Sequence, residues 1–155
     1  MIQRIQTVYL LLAAGLFFAL FFLPLAVIRS GDILYLFQVS GLQTTTADAE
    51  LVYPAWALLV IAAIIVLLSF VILFSYKYRL LQIRMCIYNT LLMIGFCLLA
   101  GFYLWQFSNS PNLPDMSISL RFWACFPIIA IIFNYLAIRN IGADEALIRS
   151  LERLR

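Results

Sequence analysis

Asn89 and Asn134 are the side chains best placed to do chemistry inside the apolar runs of this chain. Asn89 lies five residues past Arg84, and Asn134 lies five before Arg139, so the two sit at similar depth. A side-chain hydrogen bond between them is geometrically reasonable, and such bonds contribute about 0.6 to 2 kcal/mol in membranes. A neutral amide pair joins helices or meets a polar ligand; it does not relay protons. The chain has no histidine, so the commonest general base and imidazole ligand are missing. Serine without histidine excludes the usual hydrolase pairing. Cys86, Cys97 and Cys125 fall within or beside apolar runs, with no CxxC, which suits packing rather than a disulfide or a metal. Asp144 and Glu145 are adjacent and suit a helix start. No charge falls in the middle of an apolar run, which argues against a pump or an ion-coupled transporter. The expectation is no enzyme, no catalytic residue, no metal and no cofactor.

The elements that position these residues follow from composition. Apolar residues make up 66% of the chain and charged residues 11%. Soluble domains carry roughly 45–50% and about 25%. Lipid must therefore face much of the surface, and long runs in lipid must be helical. The ten cations are scattered rather than clustered with aromatics, so nucleic acid is not an expected partner.

The chain divides into four predicted spans: TM1 at 7–28, TM2 at 53–75, TM3 at 85–107 and TM4 at 122–139. Pro54 suits the first turn of TM2, while Pro127 is expected to kink TM4. Between TM1 and TM2, the outer loop 29–52 has strand-like runs at 33–39 and 42–46 around Ser40-Gly41, which predicts a small β-hairpin or cap. The inner loop is 76–84, and the second outer loop, 108–121, is rich in turn residues. Gly142 is expected to stop TM4 and Asp144 to cap a new amphipathic helix at 143–155. There Leu147, Ile148, Leu151 and Leu154 form one stripe. The fold class expected is an all-α, antiparallel four-transmembrane-helix bundle, with the extracytoplasmic hairpin and a cytoplasmic amphipathic tail.

Sidedness follows from the cations. Arg4, Lys77, Arg79, Arg84, Arg139, Arg149, Arg153 and Arg155 fall on one side, and only Arg29 and Arg121 on the other. The positive-inside rule then sets both termini in the cytoplasm.

Three strings carry a resemblance: residues 1–13 (MIQRIQTVYLLLA), 77–84 (KYRLLQIR), and 136–139 (LAIR) with 144–155 (DEALIRSLERLR). With them, the whole chain resembles a family of small four-span inner-membrane proteins of Bacteroidetes, known only as a domain of unknown function (number 4293). The resemblance implies a bacterial inner membrane and a single compact domain, and it transfers no catalytic residues. The function expected is a non-enzymatic accessory or scaffold subunit. Its partner, a membrane or cytoplasmic protein, would dock on Leu147, Ile148, Leu151 and Leu154, with Arg79 and Arg84 beside them. The alternatives are an oligomeric pore or small-molecule transporter, with Asn89, Thr90 and Asn134 facing a path, and a lipid- or quinone-binding subunit. Membrane lipid and further copies of the chain complete the expected partners.

Overall fold

The computed structural model describes residues 2–30, 33–45, 51–75, 78–109 and 116–153, with the backbone alone for 2–4, 51–52, 79, 116 and 147–153. The chain runs α1 (Ile2–Ala19), β1 (Ala26–Ser30), β2 (Ile33–Gln38), β3 (Gly41–Thr44), β4 (Leu51–Pro54), α2 (Trp56–Phe74), α3 (Arg79–Ser108) and β5 (Met116–Leu120). A 3-10 turn, Phe122–Cys125, then leads into α4 (Phe126–Arg153). The strands form one antiparallel sheet in the order β4-β3-β2-β1-β5.

The all-α four-span expectation is thereby overturned. Among the described residues three helices are long and apolar enough to cross a membrane: Trp56–Phe74, Leu80–Ser108 and Phe122–Ala146. The first helix is apolar over Ile5–Ala19 and is shorter. Its apolar run continues to Ile28, but the helix does not. Leu20, Phe21 and Phe22 donate to the carbonyls three residues back, at 3.1–3.2 Å, so the last turn tightens. Pro24 then disfavours helical backbone at Leu23. The residues that follow, Ala26-Val27-Ile28, are apolar because β1 is central, between β2 and β5.

The predicted hairpin is present as β2 and β3, in the middle of a larger sheet. Gly41 closes it at φ +140°, and a Cβ there would stand 2.4 Å from the Tyr53 carbonyl oxygen. Glycine alone fits such an approach. Tyr53 and Pro54 end strand β4 instead of opening TM2, and Pro54 on an edge strand needs no N–H. The fifth strand comes from the second outer loop, 108–121, where no strand was expected.

The remaining corrections concern helix ends. Pro127 is the second residue of α4, where a missing N–H breaks no bond, so the expected kink has no cause. Gly142 does not stop α4, which runs on to Arg153 as one helix and not as a span plus a separate tail. Arg79–Arg84, assigned to the inner loop, are the first turns of α3.

Strands and helices meet in one apolar cluster. Phe37 of the sheet stands edge-on to Phe107 near the end of α3, with ring centres 5.6 Å apart, and Tyr53 lies at the same distance from Phe107. Phe17 and Phe96 pair lower down, at 5.4 Å. Outward-facing Leu67, Leu91, Leu98 and Ile132 are exposed, as a lipid-facing wall requires. The sheet therefore sits at one end of the helices. The starts of α1 and α3 and the ends of α2 and α4 lie at the other.

Candidate functional site

A neutral polar cluster crosses the middle of the helices. Ser69 is the lone polar residue in its stretch of α2, and its hydroxyl donates back to the Ile65 carbonyl at 2.8 Å. That leaves its oxygen as an acceptor, and Asn89 Nδ2 of α3 donates to it at 2.9 Å. One position further along α3, Thr90 faces α4. Asn134 Nδ2 donates to Thr90 Oγ1 at 2.8 Å and to the Cys86 carbonyl at 2.9 Å, and the Thr90 hydroxyl donates to that same carbonyl at 2.9 Å. Successive helix positions are about 100° apart, so α3 presents Asn89 to α2 and Thr90 to α4.

The sequence places both asparagines at one depth, and they share it. They do not bond each other; each straps α3 to a different neighbour. Both are 0% exposed. Among the described residues Asn89 Oδ1 and Asn134 Oδ1 have no hydrogen-bond partner. The cluster is uncharged and supplies hydrogen bonds, with neither an acid–base pair nor a redox group. Ser69 went unread in the sequence because one serine in a long apolar run carries no periodic signal.

The second site is the end opposite the sheet. Gln6 Nε2 of α1 donates to Asp144 Oδ2 of α4, so Asp144 ties two helices together instead of capping one. Gln82 Nε2 reaches the Ile72 carbonyl at 3.4 Å. Between the start of α3 and α4 lies an open recess of about 280 Å³, lined by Leu80, Ile83, Gly142, Glu145 and Ala146. Gly142, with nothing within 4 Å of an added Cβ, leaves this face open. Past Asn134, α4 runs about 28 Å to Arg153, while α3 runs only about 16 Å from Thr90 back to Arg79, at ~1.5 Å per residue. The end of α4 therefore outruns α3 by roughly 12 Å.

Of the sequence-predicted docking residues, Leu147, Ile148 and Leu151 lie on these last turns of α4. Arg79 starts α3, Arg84 is exposed one turn on, and Leu154 lies outside the described residues. Leu80 and Ile83, which the sequence reading passed over, join them. Their signal was present: apolar residues set between Arg79 and Arg84 on a helical period.

A third feature is an open groove of about 550 Å³ between α1 and α2, lined by Phe18, Phe21, Phe22, Ala63, Val66 and Leu67. Cys86 is buried, Cys97 half-buried and Cys125 exposed, and all three are free thiols. Among the described residues no group of cysteine, aspartate or glutamate side chains has the makings of a metal site. The model of one family, a domain of unknown function (DUF4293), matches residues 2–154. No curated protein matches the chain.

Proposed function

The chain belongs to the DUF4293 family, and we propose that it is a non-enzymatic accessory subunit of a bacterial inner membrane, binding a protein partner at the end opposite the sheet. The observation that carries this is the end of α4. It continues past the start of α3, bears Leu147, Ile148, Leu151 and Leu154 in sequence, and adjoins the recess floored by Leu80 and Ile83. A stripe of apolar residues in the sequence, next along α4 from a mostly apolar recess and with Arg79, Arg84 and Arg149 in the same segments, fits a partner's amphipathic helix. Eight of the ten cations belong to this end, which supports a cytoplasmic address for it and for both termini, with the sheet on the outer side.

Affinity purification in mild detergent with quantitative mass spectrometry tests the proposal. The intact chain is compared with Leu147→Asp/Leu151→Asp at equal expression. The charged variant should lose one specific co-purifying protein that the intact chain retains. An unchanged set of co-purifying proteins would refute docking at this end. A second reading, a lipid- or quinone-binding subunit, is favoured by the Phe18/Phe21/Phe22 groove. Lipid or quinone retained in native mass spectrometry by the intact chain, and lost with Ala63→Trp, would support it.

A further inference from the structure

Strand β5 is an edge of the sheet, and among the described residues no strand lies beyond it. Its backbone orientation can be assigned. The Arg121 N–H donates to the Leu25 carbonyl at 3.1 Å, in register with the β1–β5 ladder. Hydrogen-bonding direction alternates along an antiparallel strand. Ser119 and Ser117 therefore also turn their backbone groups to β1. Ile118 and Leu120, and Met116 by register, turn theirs to the open edge.

The strand carries none of the usual guards. MSISL has no charge, no proline and no bulge, whereas the opposite edge strand ends in Pro54. Its faces differ. Ile118 pairs with Ile28, and Leu120 with Ala26, whose side chains are buried on the inner face. Ile118 and Leu120 nonetheless remain 38% and 67% exposed. On the outer face Ser117 and Ser119 are exposed. Arg29, opposite Ser117, shares that face, and so by alternation does the extended Arg121. These are the only two cations assigned to this end of the chain.

We infer that β5 is a docking edge for an extended segment of a second protein on the sheet side of the membrane. The bound segment adds a sixth strand and alternates apolar residues with acidic ones. Its apolar residues continue the Ile118/Leu120 row, and its acids lie on the outer face beside Arg29 and Arg121. A second copy pairing antiparallel through β5 is not the occupant. Its β5, MSISL, carries no acid to set beside Arg29 and Arg121.

The probe is a fluorescent peptide of about nine residues alternating valine with aspartate, long enough for one strand, with a valine–lysine peptide as control. Binding to the full chain in detergent is read by fluorescence anisotropy. Only the aspartate peptide should bind, more weakly as salt rises. Ile118→Pro removes an N–H that faces the open edge and breaks no bond to β1. It should abolish binding while leaving the melting temperature unchanged. Arg29→Glu/Arg121→Glu should reverse the preference toward the lysine peptide. Absence of binding, or binding that survives Ile118→Pro, would overturn the inference. So would self-association that Ile118→Pro dissolves, since the edge would then belong to another copy of the chain.

Discussion

Replacing Ser69 by alanine removes one oxygen atom, yet it is expected to destabilise the protein more than replacing Asn89 by leucine. Among the described residues the Asn89 amide has one partner, Ser69 Oγ at 2.9 Å, and its own Oδ1 is already unpartnered. Ser69→Ala leaves the whole amide without a protein partner in a site that is 0% exposed. Stranding a buried polar group costs about 1–3 kcal/mol. The Ile65 carbonyl loses only an extra donor. Asn89→Leu instead deletes the bond and the stranded oxygen together. Leucine keeps the branching of asparagine, the bond lost is worth about 0.6 kcal/mol on average in membranes, and relief of the unpaired Oδ1 offsets it. The expected change lies within about 1 kcal/mol of zero.

The double variant Ser69→Ala/Asn89→Leu should then be about as stable as Asn89→Leu alone. The two effects would fall short of additivity by roughly 1–3 kcal/mol. Reversible unfolding in mixed micelles, titrated with denaturing detergent, measures all four corners of the cycle. The reasoning fails if Asn89→Leu costs as much as Ser69→Ala, or if the two effects add. The first result would mean that Asn89 Oδ1 has a partner of its own, and the second that Ser69 and Asn89 do not interact.

Gly41→Ala should lower stability by about 1–3 kcal/mol or more, through strain at φ +140° and the 2.4 Å contact with the Tyr53 carbonyl. Gly101→Ala, with nothing within 4 Å, should raise stability by up to about 1 kcal/mol through helix propensity; thermal melts of the two variants decide. Truncation after Ala146 should leave the melting temperature near that of the intact chain, because it keeps the Gln6–Asp144 bond. Truncation after Gly142 should lower it. For sidedness, a membrane-impermeant maleimide added to spheroplasts of a Cys125→Ser background should label Ser119→Cys at once and Arg84→Cys only after lysis. The reverse pattern would invert the proposed topology.

Hydropathy made α2, α3 and most of α4 legible, because a long apolar run in lipid has one solution. It misled at 26–28 for a physical reason. A central strand buried among neighbours is as apolar as a helix, and only Pro24 marked the change. β5 was harder still. Its alternation of Met, Ile and Leu with serine was visible, but it follows a run of turn residues, and its partner β1 lies far back in the chain. Gly142 and Asp144 look like a stop and a start when taken locally. Contacts along α1, with Ile141 buried and Asp144 bonded to Gln6, outweigh the ~1 kcal/mol a helical glycine costs. The asparagines were legible as a pair at one depth. Which neighbour each would choose depended on Ser69 and Thr90, and so on the rotation of α3.

That rotation makes α3 the element the other features share. Its first turns floor the recess with Leu80 and Ile83, and its middle holds Asn89 toward α2 and Thr90 toward α4. Its last turns set Tyr103 and Phe107 against the sheet. Apolar packing alone fixes helix rotation weakly in lipid, since a leucine faces a tail as readily as another leucine. Hydrogen bonds in two directions from adjacent positions do fix it: turning α3 by one residue would strand both amides at once. The polar layer thus serves the two ends. It sets the face that α3 shows to the recess and the face that it shows to the sheet.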